Sequence, residues 1–262
     1  MRARRPLHPV AIEERYVKLL RRRAAALERI FMASMEPVLD KLRPGIDERA
    51  RRDSAAEDLS SILRVYQVVE RTVLEELPPE DGVAAIGDAV ETFATRDVVR
   101  QVAQVITVDR FAPLDLIMGN WVESNVALIR TIDDRYFADV QRVITQGITE
   151  GRLTRDIMAD LQERFDVSKV RAELIARDQI GKLNGQITQD RQANLGITRY
   201  VWSASRDGRV RQLHEELDGT VQEWANPPIC MDNGERGHPG EAIQCRCVAI
   251  AVLPGDDIEG LG

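Results

Sequence analysis

Ile197-Thr198-Arg199-Tyr200-Val201-Trp202-Ser203 marks a change of period in this chain. β-Branched and aromatic residues dominate Arg199–Ser203, the composition of a strand that packs on a pleated surface. Upstream, apolar residues recur at helical spacing almost back to the N-terminus. Downstream, Thr220–Trp224 and Cys245–Leu253 again have strand composition, and Arg206–Leu217 reads as one short helix. The expectation is an α+β chain, with a long helical N-terminal half, then C-terminal helices plus a small antiparallel sheet. Residues 1–133 would form the helical part and 134–262 the α+β part.

The helical stretch divides at its breakers. Ile12, Tyr16, Leu19, Leu20, Leu27, Ile30 and Phe31 place a first helix over Val10–Leu42, with Pro37 as a kink and Pro44-Gly45 as its end. Ser54, with Glu57 three residues on, reads as a capping box opening a second helix that runs to Leu77. A third spans about Val83–Gln104, where the β-branched residues of 98–108 weaken the pattern. Leu114–Ile132 and Asp134–Gly147 follow as two helices. Thr154 opens another through Phe165, and Ser168 opens the last, to Asn194. Val170, Leu174, Ile180, Leu183 and Ile187 are its expected buried face. Gly181 and Gly185, one turn apart, admit close approach of another element.

The 262 residues are 44% apolar and 30% charged, which excludes wholesale disorder or a fibrous repeat. A chain this long buries about 70–75% of its unfolded surface, so its core needs no disulfide or metal. No apolar run reaches the roughly 18 residues of a spanning helix. Glu13, Glu14 and Arg15 interrupt any signal-peptide core, so synthesis in a cytosol and no membrane partner are expected. Residues 1–29 hold eight Arg and one Lys against three Glu, a balance of +6 on a chain of net charge −7. Arg2, Arg4, Arg5, Arg21, Arg22 and Arg23 are the candidate contacts for nucleic acid or an acidic partner; the plainer reading is a solvated terminus.

Specific chemistry concentrates in residues 199–253. Asn226–Gln244 is a 19-residue stretch with six Gly or Pro. Such a loop cannot bury enough to offset its ordering entropy, roughly 1–2 kcal/mol per residue, so something must pin it. All three cysteines and two of the three histidines fall between His214 and Cys247. Three thiolates and one imidazole make an ordinary tetrahedral zinc site. Cys230, Cys245 and Cys247, with either His214 or His238, are therefore candidate ligands of a structural zinc. In an extended strand Cys245 and Cys247 share a face, which suits joint ligation. Two other readings stand beside this one. The cysteines can be small buried hydrophobes, or Cys230 can bridge to one of the pair, an easier geometry than Cys245–Cys247.

Enzyme signatures are sparse. His214-Glu215-Glu216 and Pro228-Ile229-Cys230 match part of the zinc-deaminase pattern, but its P-C-x-x-C element is missing. No G-x-S-x-G, H-E-x-x-H, Walker A or G-x-G-x-x-G occurs. A helical face of Arg209, Arg211 and His214 offers phosphate contact, yet Glu215, Glu216 and Asp218 stand close enough to pair with it.

In order along the chain come Trp202 ending a strand, Asp207, Arg209, Arg211 and His214, Leu217-Asp218-Gly219, Pro239-Gly240 and Cys245-Arg246-Cys247. This series resembles the phage Mu protein F-like family of head morphogenesis, or minor head, proteins. Upstream, Ile175-Ala176-Arg177-Asp178-Gln179 resembles the family's Ala-Arg-Thr-Glu helix, with Asp178-Gln179 in place of Thr-Glu. The resemblance covers about residues 135–253. It implies a low-copy virion component, assembled in the host cytoplasm, that works beside the portal and other capsid components and assists the packaging or delivery of DNA. It implies no catalytic activity; on the residues themselves, no cofactor is expected beyond a structural zinc. Residues 1–133 would then dock on the portal or capsid. Two other classes remain open on the residues: a zinc-dependent enzyme acting on a nucleotide or cell-wall substrate, and a DNA-binding protein that uses the basic N-terminal segment.

Overall fold

Tyr16, Leu20, Ala24, Leu27, Phe31, Met35 and Leu39 recur every three or four residues, and all are buried along one helix, α1 (Val10–Leu39). This computed structural model describes residues 7–39, 48–80, 82–150, 152, 154–205, 208, 210–253 and 255–256. Five more helices follow among them: α2 (Glu48–Glu76), α3 (Val83–Val102), α4 (Asp115–Thr149), α5 (Thr154–Asn194) and α6 (Gln212–Leu217). The strands are β1 (Arg199–Ser203), β2 (Val221–Glu223) and β3 (Val248–Ala251), so the chain is α+β. No helix among the described residues is long and apolar enough to cross a membrane.

Several boundaries differ from those read in the sequence, each for a local reason. α2 begins at Glu48, ahead of Ser54, because Glu48–Asp53 contains only residues that a helix tolerates. The expected pair Leu114–Ile132 and Asp134–Gly147 is one helix, α4. Nothing between them breaks a helix, and the Asp133 carboxylate accepts from Arg23 Nη2 at 2.7 Å instead of capping. Likewise α5 runs unbroken through Ser168, whose hydroxyl donates back to the Arg164 carbonyl at 3.3 Å. α1 passes through Pro37 to Leu39; Pro44-Gly45 lies outside the described residues. Val170 and Leu174 are 57% and 40% exposed, while Ala172 and Ala176 take the buried positions beside them. Ile180, Leu183 and Ile187 are buried as expected.

The chain forms two compact units, each drawing on both sides of residue 133. One comprises Val17–Asp81 and Val126–Glu173. Its core is made by residues of α1, α2, α4 and α5, around an aromatic group of Phe31, Tyr66, Tyr136 and Phe137 with ring centroids 5.4 to 6.3 Å apart. These rings meet edge to face, the arrangement their quadrupoles favour. The Tyr66 hydroxyl donates to the Phe137 carbonyl at 2.5 Å. Tyr66→Phe should cost about 1 kcal/mol in a urea melt with an unchanged m-value, since it removes one buried hydrogen bond and little volume.

The other unit comprises Met1–Tyr16, Gly82–Asn125 and Leu174–Gly262, and it contains the sheet. The strand order is β2-β1-β3, antiparallel throughout, with Val201 opposite Val221 on one side and Ile250 on the other. β1 is central, which is why Tyr200, Val201 and Trp202 are all fully buried. Their alternation splits two cores: Tyr200 and Trp202 join Cys230, Cys245, Cys247 and Ala249, while Val201 joins Ile250 and Val252. α3 packs on β3, and the Gln101 side chain accepts from the Ala251 N–H at 2.9 Å. Arg191, 2% exposed, ties α5 to α3 and the segment after it. It donates to Glu91 (2.8 Å), Thr95 (3.0 Å) and the Ala112 carbonyl (2.8 Å), and its guanidinium lies over the Phe111 ring.

Candidate functional site

The family-like residues converge on the buried face of the sheet that carries Tyr200 and Trp202. Leu217-Asp218-Gly219 closes α6 back onto β1. Gly219 supplies the positive φ of 77°, its N–H donates to the Trp202 carbonyl at 2.9 Å, and Asp218 Oδ1 accepts from the Ala204 N–H at 2.8 Å. Arg211, at the start of α6, donates to the Ile243 carbonyl at 2.9 Å and so joins α6 to the segment before the cysteines. Asp207 and Arg209 lie outside the described residues.

This anchoring sets His214, 2% exposed, edge-on against the Trp202 ring with centroids 5.3 Å apart. Its Nε2 lies 2.9 Å from the Cys230 carbonyl, which can only accept, so Nε2 carries a hydrogen. Nδ1 therefore points the other way, 3.6 Å from Cys245 Sγ and 3.4 Å from Cys247 Sγ. Three donor atoms, one each from His214, Cys245 and Cys247, lie within 4.8 Å of one another, and all three residues are buried.

The sequence placed Cys245 and Cys247 on a strand; instead they precede β3, which begins at Val248. The turn into them starts at Gln244, whose φ of 57° is left-handed and whose N–H donates to Asp178 Oδ1 at 2.9 Å. The Cys247 N–H donates to Cys245 Sγ at 3.4 Å. Arg246, between them, faces Glu13 at the start of α1, through Nε at 3.0 Å and through Nη2. The alternation of the Cys-Arg-Cys motif thus has two uses: thiols inward to His214, guanidinium onto Glu13.

Glu13, 3% exposed, is an ion-pair hub that also meets His8 Nε2 at 2.9 Å and Arg177 Nε at 3.4 Å. Burial opposes its ionisation, but the hydrogen bonds from His8 and Arg246 and the Arg246 charge outweigh it. The carboxyl falls from 4.5 to about 2.

The thiol–imidazole group is mutually polarised. The Cys247 hydrogen bond, together with the His214 hydrogen bond and charge, holds the Cys245 thiol well below its usual range against the effect of burial. Cys247 is correspondingly pushed up by that hydrogen bond, by burial and by the Cys245 charge. Burial pulls His214 down, but its bonds to Cys230 and Cys245 dominate and carry it to about 10. A cleft of about 220 Å³ opens beside these residues, lined also by Ser205, Val210 and Arg211.

The other expected ligands sit elsewhere. His238 Nδ1 pairs with the Tyr200 hydroxyl at 2.9 Å, and its ring lies tilted against Trp224, 4.8 Å between centroids. It lies outside the donor group, and burial lowers its pKa. Cys230 is fully buried and meets His214 through its carbonyl, on the ring edge away from the other sulfurs; its own sulfur is outside the group. All three cysteines are free, so no disulfide forms.

Of the basic residues, Arg2, Arg4 and Arg5 lie outside the described residues. Arg21 and Arg22 are both exposed; Arg21 pairs with Glu173, and Arg23 is held by Asp133 and the Leu77 carbonyl. Asp178 and Gln179, at the Thr-Glu position, are both engaged. Asp178 holds Lys182 (2.7 Å) as well as Gln244, and Gln179 Oε1 accepts from Asn125 (3.2 Å). Sequence reading missed Glu13. Its only signal was an acid in the first turn of α1 amid a basic leader.

Residues 138–250 match the family described as Phage Mu protein F like protein. Among curated proteins, the chain is 42% identical over 133 residues to an "Uncharacterized protein" of Haemophilus influenzae, covering 51% of this chain and 29% of that one. It is 30% identical over 131 residues to the NAD(+)--arginine ADP-ribosyltransferase EFV of Enterococcus faecalis, covering 47% and 27%. It is 25% identical over 127 residues to Minor head protein GP7 of Bacillus phage SPP1, covering 45% and 41%. The chain therefore spans less than half the length of each of these relatives. No solved structure matches it significantly. α5, α6, the thiol–imidazole group and the sheet as far as Ile250 all lie within residues 138–250, the segment that is similar to the Phage Mu protein F like family.

Proposed function

We propose that this chain is a phage minor head protein: a low-copy structural part of the assembling head that works beside the portal, with packaged DNA as a further partner. The observation that carries this reading is the family match over residues 138–250, and the similarity to a minor head protein of a Bacillus phage supports it. The sheet-bearing unit acts as a rigid module, because its turns, loop and cysteines are held by buried partners. The docking surface lies in the helical N-terminal part, residues 1–133. There, Val68 on α2 is 62% exposed. The chain resides in the virion. DNA contact falls to Arg2, Arg4, Arg5 and Arg22, since Arg21 and Arg23 are used in ion pairs.

Co-expressed with the portal protein and major capsid protein of its own genome, the chain should co-purify with the portal oligomer and appear at low copy in purified particles by quantitative mass spectrometry. A portal that assembles fully and never retains the chain would overturn the reading.

The identity to an ADP-ribosyltransferase favours a second reading, a transferase. The match covers 27% of that protein, so its activity is not carried over. Incubated with labelled NAD⁺ and an arginine-rich acceptor, the purified chain should transfer no label. Transfer above a heat-killed control would establish the second reading instead.

A further inference from the structure

We propose that Cys245, Cys247 and His214 Nδ1 bind one zinc ion, with the fourth coordination position turned into the adjoining cleft. Tetrahedral zinc with Zn–S near 2.3 Å and Zn–N near 2.05 Å places an imidazole nitrogen about 3.6 Å from each thiolate. His214 Nδ1 stands 3.6 and 3.4 Å from the two sulfurs, so the protein already holds the two edges of that tetrahedron that meet at the nitrogen.

The second observation is the tautomer. Nε2–H donates to the Cys230 carbonyl at 2.9 Å, which leaves Nδ1 as the ring nitrogen facing the sulfurs; metal binding there would displace its proton. A ligating histidine regularly has such a carbonyl behind it, fixing ring orientation and raising basicity. The Cys247 N–H donates to Cys245 Sγ at 3.4 Å, a hydrogen bond of the kind that supports a ligating sulfur.

The donor set selects the metal. Two soft thiolates and an imidazole in a small buried triangle suit zinc over the oxygen-seeking magnesium and calcium. Cys230 and His238 are outside the set, so the closed site of three thiolates expected from the sequence is replaced by three protein ligands and an open corner. The cleft of about 220 Å³ reaches all three ligands and has room for water at that corner. Binding there would clamp α6 to the turn before β3, because the ligands come from those two places.

The test uses the full chain expressed with zinc and purified without chelator. Mass spectrometry of the metal should find one zinc per chain, retained in Cys230→Ser and His238→Ala and reduced at least tenfold in Cys245→Ser and Cys247→Ser. Because the last two variants also alter buried packing, the unmutated protein is exchanged with cobalt as well. A thiolate-to-cobalt charge-transfer band with tetrahedral d–d absorption supports the site without any mutation. Reduced protein with all thiols titratable and no metal, an octahedral cobalt spectrum, or full metal content in the Cys245→Ser/Cys247→Ser double variant would each overturn it.

Discussion

Gly185→Ala should destabilise the sheet-bearing unit by about 3 kcal/mol, seen as a thermal transition lowered by roughly 10 °C. A Cβ at Gly185 would stand 2.4 Å from the Pro239 carbonyl oxygen, and one at Gly181 would stand 2.5 Å from that of Cys245. Both obstacles are backbone, so no rotamer change relieves them. Gly240, at φ 95°, meets the same helix from the loop side, its Cβ position 2.5 Å from the Gly181 carbonyl oxygen. Three glycines thus let the loop lie directly on α5. Gly119→Ala is the control: also inside a helix, it has nothing within 4 Å of the added carbon. There alanine should leave stability unchanged or raise it by up to about 1 kcal/mol, the helix-propensity gain. Equal effects at the two positions would mean that the loop does not sit on α5.

Glu13→Gln should cost about 3 kcal/mol, because it leaves Arg246 and its neighbours with a neutral partner in a buried site. It should also alter the acid limb of the stability curve. The folded carboxyl titrates near 2, below its usual 4.5, so the unfolded chain binds more protons between those values. Its stabilisation is complete above about pH 5 and lost as pH falls toward 2. The wild-type protein should therefore lose about 2 kcal/mol more than Glu13→Gln across that window in parallel urea melts. Identical acid limbs in the two proteins would show that the pairing does not hold in solution.

Much of the architecture could be read from residue order. Tyr16, Leu20, Leu27 and Phe31 announce α1, and Arg199–Ser203 announces the central strand, because helix and strand periods depend only on neighbours along the chain. Leu114–Ile132 and Asp134–Gly147 read as two helices, but α4 runs through both, and the Asp133 carboxylate between them is taken by Arg23, a partner 110 residues away. Ser168 misled because a hydroxyl that caps and one that bonds back to the preceding turn look alike in sequence.

The candidate site shows the same division. From sequence alone came the α+β class, the clustering of thiols and imidazoles between residues 214 and 247, and the need of Gly181 and Gly185 for a close neighbour. Those rest on local period, residue chemistry and the space a side chain needs. Tertiary structure alone chose His214 over His238, set Cys230 aside, and gave Arg246 to Glu13 across 233 positions. It also showed that the Gly/Pro-rich loop is held by backbone lying on α5 and by Asp178, and not by sulfur alone. Such pairings depend on where distant segments meet, a condition that spacing along the chain does not encode.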